Sequence, residues 1–90
     1  MNKTEIIAKI EDALEVNNEF ILQTKNFFLY VDRELFVECN DDAVVAKLKE
    51  NGEITDKLEI VPYCDILEVL SDEEYQLKMF EMMLGMGILD

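Results

Sequence analysis

Carboxylates are the chemistry this sequence carries: 21 acidic side chains stand against 8 basic ones, giving a net charge of −13. Several fall in short groups, namely Asp32, Glu34 and Glu38; Asp41 and Asp42; and Asp72, Glu73 and Glu74. Carboxylate pairs can divide general acid and general base work, but in so acidic a chain that spacing has no specificity. Their better use is charge presentation, since an ionised carboxylate accepts two parallel hydrogen bonds from an arginine. Successive helical turns lie ~5.4 Å apart and alternate strand residues ~6.8 Å apart, so either lattice can follow a DNA strand with one phosphate per ~3.4 Å. The candidate partner-binding surface is Asp32, Glu34, Glu38, Asp41 and Asp42, with Tyr30 and Phe36 as its apolar part. Asp72, Glu73 and Glu74 form a secondary acidic surface.

Other chemistries lack their residues. There is no histidine, the commonest general base and a principal zinc ligand. The single serine, Ser71, reads as a helix cap, and Cys39 and Cys64 have no CxxC or Cys/His partner. Gly52, Gly85 and Gly87 build neither a phosphate loop nor a dinucleotide fingerprint. No lysine has an acid two residues before it, as one large class of metal-dependent nucleases requires. The expectation is a non-enzymatic protein with no cofactor and no metal site. Both cysteines read as reduced, small hydrophobes.

Leu, Ile, Val and Phe supply 31 of the 90 residues, enough for a folded core, and the length fits one acidic domain over residues 1–90. The charge is beyond the ~2–8 units that suffice for solubility, and self-repulsion opposes compaction. A polyanion is repelled by nucleic acid and by anionic lipid, so neither is an expected direct partner. The start, MNKTEII, lacks the unbroken apolar run of a secretory signal, and Met82 to Leu89 is far shorter than the ~20 residues of a membrane span. The chain reads as cytoplasmic.

The elements that position these groups follow from caps and periodicity. Asn2 with Glu5 makes a capping box for a helix over Lys3–Val16, burying Ile6, Ile7, Ile10, Ala13 and Leu14 and turning Glu5, Asp12, Glu15 and Glu19 outward. Three apolar runs, Phe20–Leu22, Phe27–Val31 and Leu35–Cys39, predict a three-stranded antiparallel meander. Alternation puts Phe27, Leu29, Val31, Leu35, Val37 and Cys39 on one face. Phe28, Tyr30 and Phe36 then share the other face with Asp32, Glu34 and Glu38. Asn40-Asp41-Asp42 reads as the cap of a helix over Ala43–Glu50, stopped at Gly52. Glu53 to Val61 fits a fourth strand or an extended loop, and Asp65 to Leu70 one or two helical turns. Ser71 with Glu74 opens a last helix that stops at Gly85. The expected class is therefore α+β: an N-terminal helix, a three- or four-stranded antiparallel sheet and two or three further helices.

This helix, meander, helix order in a short acidic chain resembles the small phage-encoded anti-CRISPR proteins, in particular Cas9 inhibitors of similar length. The segments that carry the resemblance are MNKTEIIAKI, LFVECNDDAVVAKLKENG and SDEEY. It implies a DNA mimic in the host cytosol that occupies the cationic DNA-docking groove of a Cas effector nuclease, where arginines read a short DNA flank. Two other readings stay open. One is an immunity or antitoxin-type protein that neutralises a basic nuclease toxin. The other is an interaction module whose Met-rich region, Met79–Met86, joins two copies in a homodimer.

Overall fold

The computed structural model describes residues 1–85 as two α-helices and six β-strands. Helix α1 (Lys3–Asn17) is followed by β1 (Glu19–Thr24), β2 (Phe28–Asp32), β3 (Phe36–Cys39), β4 (Ala43–Glu50) and β5 (Glu53–Pro62). A 3-10 turn over Tyr63–Asp65 leads into β6 (Ile66–Leu70), and α2 (Asp72–Gly85) closes the order.

Both helices begin as their sequences predict. The Glu5 N–H donates to Asn2 Oδ1 at 2.8 Å, and Asn2 Nδ2 donates to Glu5 Oε1 at 2.9 Å. At α2 the Ser71 N–H donates to Glu74 Oε1 at 3.1 Å and the Glu74 N–H to Ser71 Oγ at 3.2 Å, the reciprocal capping box. Asn18, left-handed at φ 61°, ends α1.

Three of the turns between strands contain no glycine, and each is closed by a side-chain oxygen. Thr24 Oγ1 accepts from the N–H groups of Asn26 and Phe27. Asp32 Oδ1 accepts from Glu34 and Leu35, both at 2.9 Å, and Asn40 Oδ1 from Asp42 and Ala43, both at 2.8 Å. Such contacts imitate a backbone turn and satisfy donors that no strand can reach. The fourth turn is a two-residue hairpin, with Asn51 at φ 53° and Gly52 at φ 82° between paired Glu50 and Glu53. Positive φ at both positions is the hairpin geometry that matches strand twist, and Asn-Gly is its preferred pair.

The strands form two antiparallel sheets, ordered β2-β1-β6 and β3-β4-β5. The chain changes sheet at the Asp32 turn, where the Lys47 N–H of β4 donates to the Leu35 carbonyl at 2.7 Å. One core joins them: Phe20, Leu22, Val31 and Val69 from the first sheet meet Val44, Ala46 and Val61 from the second. Ile6 and Ile10 of α1, fully buried, complete that core with Leu35, Tyr63 and Ile66. Helix α2 meets the opposite face of the first sheet, where the Tyr75 ring packs edge-on to Phe28 with centroids 5.1 Å apart and Lys78 donates to Gln23.

Several expectations are corrected. Ala43–Glu50 is strand β4 rather than a helix, because the Asn40 side chain caps a turn whose N–H returns to the Ala43 carbonyl at 3.0 Å. Asx turns and helix N-caps share their first hydrogen bonds, and the paired valines with the Asn51-Gly52 hairpin decide for the strand. Asp65–Leu70 is one end of a 3-10 turn followed by β6, which finds a partner in β1 that local sequence cannot show. Among the described residues there is one further α-helix beyond α1 rather than two or three, and the meander is split because β3 pairs with β4. Glu53–Pro62 is a strand, as one of the two readings held.

The Asp32 turn generates a test. Asp32→Ala leaves two backbone donors without their acceptor and should lower stability by ~1–2 kcal/mol. Asp32→Asn keeps the accepting oxygen, so urea denaturation should place it much nearer the parent.

Candidate acidic partner-binding site

Strand register brings the acids together at one end of the first sheet. Glu19 opens β1 directly opposite Asp32, the last residue of β2, and Tyr30 lies opposite Ile21. Ile21 is in turn opposite Leu70 of β6, and one residue later Asp72 and Glu73 begin α2. Glu19, Asp72 and Glu73 line one concavity with Asn17 and Ser71. Tyr30, exposed at 47%, donates its hydroxyl to Glu19 Oε2. That bond, loss of water and the charges of Glu19, Asp32 and Asp72 push the Tyr30 phenol up to about 12.

Nothing within the described residues neutralises this cluster. The ion pairs there are Lys3–Asp41, Lys9–Glu68 and Lys57–Glu50, and none involves Glu19, Asp32, Asp72 or Glu73. Arg33 is the neighbour of Asp32, yet its guanidinium donates to Asn18 Oδ1 at 2.6 Å and to the Leu14 carbonyl at 2.7 Å. It serves the C-terminal end of α1, where a cation is favourable. Like charges opposed across a strand pair weaken the pairing. Glu19 opposite Asp32 is therefore an electrostatic cost that the turn contacts of Asp32 and the Tyr30–Glu19 bond must offset.

The residues expected from sequence separate into three places. Tyr30 and Asp32 belong to this cluster, with Glu34 exposed on the turn beside it. Asp41 and Asp42 lie in the β3–β4 turn, at the other end of four-residue β3, ~13 Å away along the strand. Asp41 is fully exposed and reaches Lys3 at 3.4 Å, a surface pair of little energetic weight. Glu38 shares a face with Val45 on the outer side of the second sheet.

Phe36 is not part of an exposed apolar centre. A register shift between Phe36 and Glu38 turns the ring into the core, edge-on to Phe20 at 6.0 Å. The same shift leaves Val37 exposed, against the simple alternation. Phe28 is covered by Tyr75, so of the three aromatics expected on that face only Tyr30 stays in solvent.

The secondary surface divides by function. Glu74 is committed to the Ser71 cap, Asp72 accepts from Gln76 at 3.1 Å, and Glu73 is exposed. All three sit in the first turn of α2, where negative charge is favourable. Glu19 was missed as a site residue because it was assigned to the outward stripe of α1, whereas that helix ends at Asn17. The hairpin register, with Glu19 opposite Asp32, was the signal that would have found it.

Elsewhere the titratable groups serve structure. Lys9 donates to Glu68 at 2.8 Å, which raises the lysine and lowers the carboxyl. Burial raises the Cys39 thiol, which keeps it protonated and unreactive, and Cys64 is exposed. Among the described residues no three acids or cysteines are grouped to hold a metal ion, and no helix is long and apolar enough to cross a membrane.

Comparison with protein-family models, curated proteins and solved structures found no match to this chain.

The Tyr30–Glu19 contact predicts an alkaline signature. A phenol raised in the folded state adds stability below its unfolded value of ~10, and that stability is lost as pH rises through the folded value. Burial raises Tyr63 to about 12 as well, so phenolate absorbance in a Tyr63→Phe background should show Tyr30 ionising near 12. Glu19→Gln should bring that titration back toward ~10, while Glu68→Gln leaves it in place.

Proposed function

We propose that this protein is a non-catalytic inhibitor that binds the cationic nucleic-acid-docking groove of another protein. The observation that supports it is the cluster of Glu19, Asp32, Asp72 and Glu73 around exposed Tyr30, where tertiary structure gathers carboxylates and supplies no cation. A groove that holds phosphates is lined by lysine and arginine, which can pair with such carboxylates while stacking on a tyrosine ring. Long-range attraction between a net charge of −13 and a basic groove speeds encounter. The same charge repels nucleic acid, so inhibition works by occupying the enzyme rather than by covering its substrate.

The specific partner we propose is a CRISPR Cas effector, the class implied by the resemblance to anti-CRISPR proteins. A surface that displaces DNA from such an effector need not reproduce bases, because the protein reads mainly phosphates and a short flank. Tyr30, Asp32 and Glu73 are the contact residues of this reading, with Glu19 and Asp72 beside them. Asp41, Asp42 and Glu38 lie outside that cluster and act as rim charges that steer encounter.

Binding to a purified Cas effector should compete with its DNA and weaken as salt rises, since exposed charges are screened beyond ~8 Å at physiological ionic strength. Losing one partner of a desolvated charge pair costs ~2–5 kcal/mol. Glu73→Lys should therefore weaken binding ~30-fold or more, while Glu11→Lys on α1 changes mainly the association rate. Affinity that is independent of salt, or equal losses in the two variants, overturns the assignment. Inhibition of a free-standing basic nuclease with no effect on Cas complexes would instead identify an immunity protein.

A further inference from the structure

Two apolar surfaces have no partner among the described residues. The first is the outer face of the second sheet. Register pairs Val45 with Ile60, Lys47 with Leu58 and Lys49 with Ile54, so these six side chains share one face, opposite the core. Leu58 is exposed at 50% and Ile60 at 60%, and both helices make their main contacts with the first sheet. Lys47 and Lys49 are exposed beside them and make no ion pair among the described residues. Glu38, next to Val45, and Asp56, in the irregular stretch of β5, are the nearest acids in the register. In a chain of net charge −13, this face is where cations and apolar groups coincide.

The second surface is the outward side of α2. Tyr75 and Lys78 hold the helix on the first sheet through Phe28 and Gln23. At ~100° per residue, Leu77, Phe80 and Leu84 fall within about 60° of one another on the other side. Leu77 is exposed at 62%. Glu73 lies on the same stripe and Glu81 on its flank, so the apolar row is bordered by carboxylates. Leu77 to Leu84 spans ~10 Å along the helix, and Lys47–Lys49 and Leu58–Ile60 each ~7 Å along their strands.

We propose that these two surfaces bind each other between copies: the α2 stripe of one molecule seats on the outer face of the second sheet of the next. Leu77, Phe80 and Leu84 lie over Ile54, Leu58 and Ile60, and Glu73 and Glu81 meet Lys47 and Lys49. The charges select this pairing. Sheet against sheet would oppose lysines to lysines, and stripe against stripe would oppose glutamates to glutamates. A nucleic acid would suit the lysines but offers no apolar row to Leu58 and Ile60. The net charge of −13 on each copy also opposes self-association, so apolar burial supplies the affinity and the local charges the choice of surfaces. The contact is heterologous, so it leaves one free surface at each end and continues to a ring or an open chain. It shares Glu73 with the proposed inhibitor surface, but its test uses the purified protein alone, so its failure and that of the inhibitor reading are distinguishable.

Sedimentation velocity over a range of concentrations, with two single variants, decides it. The parent should form concentration-dependent species larger than a dimer. Leu58→Asp and Phe80→Asp each remove one of the two surfaces, so each alone should remain monomeric. Their equimolar mixture should form a heterodimer and nothing larger, because one intact sheet face then meets one intact stripe. A parent that stays monomeric overturns the proposal, as does a mixture without heterodimer. Self-association of Leu58→Asp alone would indicate stripe-to-stripe contact, and of Phe80→Asp alone sheet-to-sheet contact, and either overturns it. Circular dichroism checks the fold of each variant. Should an aspartate variant unfold, charge reversal gives the same decision. Lys47→Glu with Lys49→Glu should weaken association at least tenfold, as should Glu73→Lys with Glu81→Lys. Mixing the two reversed proteins should restore association, since the reversed sheet face of one meets the reversed stripe of the other and their two unreversed surfaces also match. A mixture that stays monomeric overturns the proposal. Combining all four reversals in one chain should restore association.

Discussion

One carboxylate oxygen accepting two backbone N–H groups sets the architecture. Asp32 Oδ1 holds the N–H groups of Glu34 and Leu35, and there the chain leaves the first sheet for the second. The turn sends Leu35 into the core, and the register shift that follows sends Phe36 after it. Those two side chains, with Phe20 beneath them, join the inner faces of both sheets into one cluster. At that corner β3 leaves β2 and pairs with β4 instead. The same residue stands in the acidic cluster, so one oxygen serves the fold while its carboxylate also contributes charge to the surface.

The cations explain why so much negative charge is left over. Lys9 is tied to Glu68, Lys57 to Glu50, and Lys3 to Asp41, with its ammonium 5.9 Å from the Tyr63 ring. Arg33 caps α1, and Lys78 ties α2 to Gln23. Five of the eight basic residues are thus occupied in holding elements together, leaving Lys25, Lys47 and Lys49. Carboxylates receive no comparable allotment. Their local uses are turns and caps, which need one oxygen and leave the charge in place. Repulsion is therefore concentrated where strand ends and a helix start converge, around Tyr30.

The apolar residues divide in a parallel way. A chain this size buries little more than half of its unfolded surface, and here the buried set comes from α1 and the inner faces of the sheets. Helix α2 covers the back of the first sheet with one side only, which leaves Leu77, Phe80 and Leu84 exposed on the other. The outer face of the second sheet receives no helix. Both leftovers follow from having two sheets and two helices, with both helices packed on the first sheet.

What the sequence by itself determined is the set of features whose partners lie within a few residues. Both capping boxes, the start and stop of α1, the start of α2, and the strands at Phe20–Leu22, Phe28–Val31 and Phe36–Cys39 could be read locally, because one turn of backbone fixes them. The absence of histidine and the excess of acid were equally plain. Asn51-Gly52 was legible too, but a left-handed stop ends a helix as readily as it turns a hairpin, and the cap-like Asn40 favoured the wrong choice. Only tertiary structure decided between them. β4 is a strand because β3 and β5 lie on either side of it, and β6 is a strand because β1, far away in sequence, offers it an edge. The acidic cluster was decided at the same level. Tyr30 and Asp32 were visible as candidates, whereas Glu19 and Asp72 reach them through strand pairing and the β6–α2 junction, contacts that no local pattern encodes. The Met86 end of the Met-rich region lies outside the described residues, and the Met79–Leu84 portion is where α2 turns from the sheet toward solvent.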